Sequence, residues 1–192
     1  MKKLVIIIAI LLMPVASLAN DMAENFIHSL EGRILNVIQD EKIDDDAKQE
    51  KLEGLFDEVV DVDWIGKFVL GKYWRRATDE QKKEFVATYS EFLKKTYVSN
   101  FKKYDGERVE VKSSVDDGDN KYIVKTAVIQ ANGKPLDVNY RVKSEKGNVK
   151  IFDIQVEGVS LLNTQRDEFT SVISRDGIDS LIGKMKFRLK NL

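Results

Sequence analysis

Over the first half of the chain, apolar residues recur every three to four positions, which is the spacing of amphipathic helices. The pattern predicts four helices, at residues 22–39, from the acidic residues 44–46 onward, at 61–70 and at 79–104. Thr78 and Gln81 form a capping-box sequence in front of the last helix. Acidic residues complement the dipole at a helix N-terminus, so residues 44–46 are interpreted as a helix start rather than as a cation site.

From residue 108 to residue 156 the spacing changes to alternation between apolar and polar positions, which is typical of strands with one buried face. Four such segments follow one another with short links between them. Asn132 and Gly133 form the turn sequence of a tight hairpin. Three short links imply an antiparallel meander with one apolar face and one solvated face.

Helical spacing returns at residues 161–173 and again at residues 178–189. The order of four helices, four strands and two helices predicts a single α+β domain. Its four-stranded antiparallel meander sheet has one apolar face, covered by the N-terminal and C-terminal helices. Such helices can stand away from the sheet and enclose an apolar cavity. The same side chains can also fill a solid core, and the pattern leaves both arrangements open.

The first nineteen residues have the layout of a secretory signal peptide. Lys2 and Lys3 precede an apolar run over residues 4–13, and small residues at Ser17 and Ala19 offer a cleavage site. The run is half the length of about 20 residues that a membrane-spanning helix needs. We therefore expect residues 1–19 to be removed and residues 20–192 to form the domain. Secretion without cysteine indicates a bacterial periplasm.

Composition excludes several kinds of chemistry. The formal charge is −1, and loss of Lys2 and Lys3 would leave 29 basic residues against 32 acidic ones, a charge of −3. No positive field is present that would bind nucleic acid. The chain has no cysteine and one histidine, and His28 falls on the polar side of the first predicted helix. Disulfides, thiol nucleophiles and multi-histidine metal sites are therefore not expected.

Catalytic motifs are also missing from the sequence. It contains neither a glycine-rich phosphate loop nor a nucleophile elbow. Asp153 is the one carboxylate that we consider as a buried acid, but alternation predicts that it faces water if Phe152 and Ile154 face inward. We expect no enzyme, no cofactor and no metal. A small enzyme acting on an apolar substrate is kept as an alternative.

Two stretches resemble the signature of the MlaC family, also called the toluene-tolerance family. The first is VLGKYWRRAT at residues 69–78, followed by the aromatic helix as far as Tyr97. The second is FDIQVEGVSLL at residues 152–162, continuing through Gln165, Phe169 and DGIDSL at residues 176–181. The predicted signal peptide, the chain length and the element order also match. Residues 20–60 match only in general pattern.

The resemblance implies a periplasmic phospholipid carrier with no catalytic residue. Members of the family shuttle lipid between an outer-membrane lipoprotein–porin complex and an inner-membrane ABC transporter, and so maintain the lipid asymmetry of the outer membrane. Docking to these complexes is transient. The acyl chains lie between sheet and helices, and the headgroup projects into water. A related branch is associated with hopanoid lipids, so a hopanoid or another apolar ligand is an alternative, as is an adaptor with a packed interior.

Inward-facing apolar residues are the candidates for lipid contact under this resemblance. From the sheet they are Val124, Val128, Val138, Tyr140, Phe152, Ile154 and Val156. From the helices they are Val69, Tyr73, Phe85, Tyr89, Phe92 and Leu161. Lys72, Arg75 and Arg76 are candidates for binding the lipid headgroup or for docking to a partner, with a solvated turn as the alternative.

Overall fold

The computed structural model of the protein describes residues 15–191, with the side chains of residues 21–99 and 102–191. The predicted signal peptide lies largely outside the described residues, and only the backbone of its last five positions is included. The helices over the described range are α1 (Val15–Ile38), α2 (Asp45–Val59), α3 (Val62–Leu70), α4 (Asp79–Leu93), α5 (Leu161–Asp176) and α6 (Ile178–Leu189). The strands are β1 (Arg108–Asp116), β2 (Lys121–Ile129), β3 (Pro135–Glu145), β4 (Asn148–Val156) and β5 (Val159–Ser160).

The strands form one antiparallel meander in the order β1-β2-β3-β4-β5. The expected α+β fold and meander are confirmed, but the prediction of four strands is wrong. The fifth strand has only two residues and follows a tight turn at Glu157 and Gly158, where φ is 48° and 80°. Two residues are too few to show alternation between apolar and polar positions, so β5 could not be predicted from the sequence pattern.

A bulge in β4 changes which side chains face which way. Arg141 of β3 pairs with Asp153, and the next residue of β3, Val142, pairs with Ile151, so Phe152 has no partner on β3. A bulge of this kind interrupts the alternation of faces. Asp153 pairs with Arg141 and so lies on the face opposite Ile154, as alternation predicts. The expectation that it faces water is nevertheless wrong, because Ser160 and Leu162 at the start of α5 cover it and its side chain is fully buried. Phe152 packs edge-on against Trp64 at 5.1 Å between ring centroids.

The fourth helix is shorter than its apolar spacing predicts. Its start is as expected, because the Thr78 hydroxyl accepts from the Gln81 amide at 3.1 Å and the Thr78 amide donates to the Gln81 side chain at 3.1 Å. The α-helix ends at Leu93, however, and continues as one π-helical turn over Lys94–Val98 and a 3₁₀ turn over Ser99–Lys103. These turns carry the chain towards β1.

The interior has two apolar clusters. The sheet cluster lies between α1, the end of α2 and strands β2, β3 and β4, and its buried members are Ala23, Ile27, Leu30, Val59, Tyr122, Val124, Val142 and Ile151. The helical cluster lies among α3, α4, α5 and α6 and includes Val69, Leu70, Phe85, Tyr89, Phe169 and Phe152. Thus α1 covers the apolar face of the sheet. The C-terminal helices were also expected there, but they pack mainly against α3 and α4.

Candidate functional site

An apolar pocket of about 600 Å³ lies between the two clusters. Its wall comes from α1, α2, the end of α4 and the turns after it, the first residues of α5, and strands β3 and β4. Its apolar members on α1 and α2 are Ile27, Leu30, Ile34, Leu35, Ile38, Leu52, Leu55, Phe56 and Val59. The end of α2 is fixed to the sheet, since the Asp61 amide donates to the Ile151 carbonyl at 3.0 Å.

Some of the residues predicted to contact lipid lie on this wall. They are Tyr89, Tyr140, Phe152, Ile154 and Leu161. The structure brings these side chains together from α4, β3, β4 and α5. Tyr140 pairs with Ile154 across β3 and β4 and with Val124 across β2 and β3, so the three residues follow one another across a single face of the sheet.

The other predicted contact residues are not on the pocket wall. Val69 and Phe85 are fully buried in the helical cluster, and Val124 is fully buried in the sheet cluster beneath α1. Phe92 lines a separate recess among α4, α5 and α6. The remaining ones are Tyr73 in the turn after α3 and Val128, Val138 and Val156 at one end of the sheet. A lipid confined to the pocket would not contact these residues.

The contribution of α1 and α2 was not predicted, because none of their residues was among the candidates for lipid contact. One signal was available in the sequence. Ile34 and Leu35 are adjacent, as are Val37 and Ile38, so the end of α1 has a broader apolar face than a helix needs to cover a sheet. In the structure this broad end lines the pocket instead of being fully buried.

Charged side chains stand at the pocket rim, which we define as Glu31, Lys103 and Glu107. Glu31 accepts from the Val109 amide at 2.7 Å. Glu107 accepts from the Asp105 amide at 2.8 Å, and backbone hydrogen bonds of this kind lower the pKa of its carboxyl group. Deeper in the pocket, burial raises the pKa of Tyr140, and the nearby Glu31 charge adds to this rise. The buried phenol therefore stays neutral, within an apolar interior below a charged rim.

The predicted cationic candidates are elsewhere. Lys72, Arg75 and Arg76 are exposed in the turn that follows α3, and none of them lines the pocket. Lys72 places its ammonium group 5.1 Å from the centre of the Tyr73 ring. Lys103 is the basic residue that the described pocket wall does contain. No spacing rule in the sequence distinguishes it from the neighbouring Lys102.

The histidine and carboxylate side chains of residues 15–191 are the groups that an enzyme or metal site would use. This range has no cluster of three or more histidine or carboxylate side chains able to hold a metal ion. His28 is exposed on α1, as its position on the polar face predicts. Asp153 does reach the pocket wall, but both of its oxygens accept hydrogen bonds from Ser160 and Leu162. None of the described helices combines the length and apolarity needed to cross a bilayer.

Comparison with known proteins identifies relatives of this chain. The family model described as "MlaC protein" matches residues 29–186. The intermembrane phospholipid transport system binding protein MlaC of Haemophilus influenzae is 30% identical over 131 residues, which cover 66% of this chain and 61% of that protein. The toluene tolerance protein ttg2D of Pseudomonas putida is 27% identical over 139 residues, covering 72% of this chain and 65% of that protein. The chain thus matches less than two thirds of the length of either relative.

Among solved structures, a phospholipid-binding protein from Ralstonia solanacearum, determined in complex with a phospholipid, has the same fold. The TM-score is 0.75, and the match covers 88% of this chain and 97% of that chain at 24% sequence identity. At this identity the match supports the arrangement of helices and sheet described above.

Proposed function

The chain belongs to the MlaC family, and from that premise we propose that it carries phospholipid through the periplasm between complexes of the outer and inner membranes. In this role it maintains the lipid asymmetry of the outer membrane. The observation that carries the proposal is the apolar pocket of about 600 Å³, whose wall is mostly apolar and whose rim carries Glu31, Lys103 and Glu107. Its volume falls within the usual range for small-molecule sites, about 300–1,000 Å³.

The energetics of such a ligand explain why a carrier needs partners. Each buried methylene is worth about 0.8 kcal/mol, so two acyl chains with roughly 28 methylenes gain about 22 kcal/mol gross on leaving water. Release into water is therefore negligible. Transfer between a bilayer and an apolar pocket exchanges one hydrocarbon environment for another and costs far less. Docking partners that open such a path are needed, and the proposed ones are the outer-membrane lipoprotein–porin complex and the inner-membrane ABC transporter.

Within the pocket we assign the acyl chains to the apolar wall that includes Tyr140, Ile154 and Leu161. The headgroup then reaches the rim, where the Lys103 ammonium provides a positive charge for the phosphate. A hopanoid would use the same wall but has no phosphate for Lys103. An adaptor without a ligand would leave the pocket empty, and an enzyme would need a free acid or base on the wall.

Native mass spectrometry followed by organic extraction tests the proposal, with two matched variants. Ile154→Glu places a carboxylate on the pocket wall, where water can replace the lipid and solvate the charge. Val124→Glu places the same group on the same face of the sheet, two strands away, where the residue is 0% exposed. A buried charge without a partner costs several kcal/mol, which is comparable to the total stability of about 5–15 kcal/mol.

We expect stoichiometric phospholipid on the wild-type protein, a folded and lipid-free Ile154→Glu protein, and an unfolded Val124→Glu protein by circular dichroism. Extraction of a hopanoid would redirect the proposal to that ligand. A folded wild-type protein that carries no lipid would contradict it. So would an Ile154→Glu protein that retains the wild-type amount.

A further inference from the structure

The second signature stretch contains a buried carboxylate whose two oxygens both accept hydrogen bonds from the start of α5. The Asp153 side chain is 0% exposed. One of its oxygens accepts from the Ser160 hydroxyl at 2.8 Å, and the other accepts from the Leu162 amide at 3.1 Å. The Ser160 oxygen in turn accepts from the Asn163 amide at 3.0 Å, as the N-cap of α5. One carboxylate on β4 therefore fixes the whole first turn of α5.

Arg141 on β3 provides the counter-charge. Its guanidinium approaches Asp153 at 3.6 Å and donates to Asp117, in the turn after β1, at 2.7 Å. It also lies 4.9 Å from the centre of the Phe152 ring. The group is thus held between two carboxylates and an aromatic face, and the bulge at Phe152 is what brings Asp153 opposite Arg141.

These contacts join two parts of the pocket wall. Phe152 and Ile154, the neighbours of Asp153 on β4, line the pocket, and so do Leu161 and Leu162 on the first turn of α5. A buried ion pair is seldom the most stabilising choice, since apolar residues of similar volume often give equal or greater stability. Its placement between two wall segments indicates a role in fixing their separation.

We infer that Asp153, assisted by Arg141, is a positioning residue that holds the first turn of α5 against β4 and so sets how tightly the pocket retains an apolar ligand. The inference rests on the proposed carrier function. A positioning role for Asp153 differs from a general stabilising role in one measurable respect. Weakening this contact must speed ligand release by more than the loss of global stability accounts for.

The test compares ligand release with stability in matched variants. Asp153→Asn keeps the shape of the side chain and the acceptor for Leu162 but removes the charge that faces Arg141. Met185→Ala in the helical cluster, a buried position that does not line the pocket, is the control for lost stability. Asp117→Asn is the control for Arg141, because it removes only the outer partner. Ser160→Ala weakens the same contact without creating a new donor.

Each protein is loaded with phosphatidylglycerol that carries a fluorescent acyl chain, and release to phosphatidylcholine vesicles is followed alongside urea unfolding. We expect release to be at least about tenfold faster for Asp153→Asn than for the wild type. We expect it within about twofold of the wild type for Asp117→Asn and Met185→Ala. If Asp153→Asn fails to fold, Ser160→Ala is expected to show the faster release.

Release rates that follow unfolding free energy alone, with Asp153→Asn equal to Met185→Ala at equal stability, would overturn the inference and leave the carrier function intact. If Ser160→Ala is the variant tested, a release rate equal to that of Met185→Ala at equal stability would likewise overturn the inference and leave the carrier function intact. A wild-type protein that cannot be loaded with the labelled lipid would instead overturn both, so the two failures are distinguishable.

Discussion

Lys103 is the basic side chain on the described part of the pocket wall, and reversing its charge separates a phosphate ligand from an uncharged one. The loss of an exposed charge pair and the repulsion that replaces it together amount to about 0.7–1.4 kcal/mol. We therefore expect Lys103→Glu to weaken retention of phosphatidylglycerol by about three- to tenfold at low ionic strength, with the loss fading in salt. Native mass spectrometry of each protein in a mixture of competing lipids measures the retention of phosphatidylglycerol.

Arg76→Glu is the matched control for this charge reversal, since Arg76 is exposed and does not line the pocket. It makes the same change in net charge at one of the positions that sequence analysis selected for headgroup binding. An equal loss of phosphatidylglycerol for both variants would show that net charge, and not the rim, attracts the lipid. If Lys103→Glu retains phosphatidylglycerol as well as the wild type does, the rim does not bind the headgroup.

At the level of single residues, alternation predicted which side chains share a face of the sheet, but not which elements cover that face. Tyr140 and Ile154 share one face of the sheet because β3 and the end of β4 alternate regularly, and both lie on the pocket wall. Asp153 lies on the face opposite Ile154, as alternation predicts, but it is buried because the start of α5 covers it, a long-range contact that no local pattern records. Val124 has the same apolar alternation as Ile154. Val124 is fully buried and does not line the pocket because α1 packs directly over it.

At the scale of elements, local signals were sufficient for the helix starts. The capping box at Thr78 and the caps at Asp44 and Asp61 involve residues three apart, so their sequence already contains the interaction. The end of α4 was not predictable in the same way. Apolar residues continue at helical spacing beyond Leu93, but a π-helical turn is adopted there, where Lys94 reaches across to α2.

Two ion pairs join α2 to the turns after α4, across the pocket. Lys94 contacts Asp57 at 2.7 Å, and Lys102 contacts Asp45 at 3.2 Å. Tyr97 and Val98, which lie between the two lysines, line the pocket. The pairs therefore hold one part of the wall against another.

We expect the double variant Asp45→Asn/Asp57→Asn to exchange lipid with vesicles several-fold faster than the wild type. Its free energy of unfolding should fall by no more than about 2 kcal/mol, because pairs with an exposed carboxylate contribute about 0–1 kcal/mol each and the largely buried Lys94 keeps Glu91, at 3.5 Å, as a partner. Vesicle-exchange kinetics and urea titration measure the two quantities. Asp176→Asn, which removes a 2.6 Å pair with Lys184 away from the pocket, should leave the exchange rate unchanged. Equal acceleration in both proteins would contradict a role for the α2 pairs.

For the molecule as a whole, the two apolar clusters explain why a pocket exists at all. The sheet cluster is covered by α1 and the end of α2, and α3 to α6 bury their apolar faces largely against one another. The space between the clusters is bounded by α2, β4 and the turns after α4, none of which fills it. The fold class followed from element order. The division into two apolar clusters could not be predicted from element order, because it depends on which helices pack against each other.

An occupied pocket should make the stability of the whole domain depend on its ligand. A ligand that binds only the folded state adds about 2.7 kcal/mol at a concentration one hundred times its dissociation constant. For a domain of this size, 1 kcal/mol corresponds to a shift of about 2–4 °C in the midpoint of thermal unfolding. We therefore expect delipidated protein to melt about 5–11 °C lower than protein reloaded with phospholipid.

Differential scanning calorimetry on the delipidated and reloaded forms measures this difference, with lipid content determined on the same samples. Ile154→Glu is the control, since its altered wall should bind no lipid and its midpoint should not change on addition of phospholipid. Equal midpoints for the two wild-type forms, in samples shown to differ in lipid content, would mean that the ligand binds folded and unfolded chains alike. The pocket between the two clusters could not then be its binding site, because that pocket exists only in the folded chain.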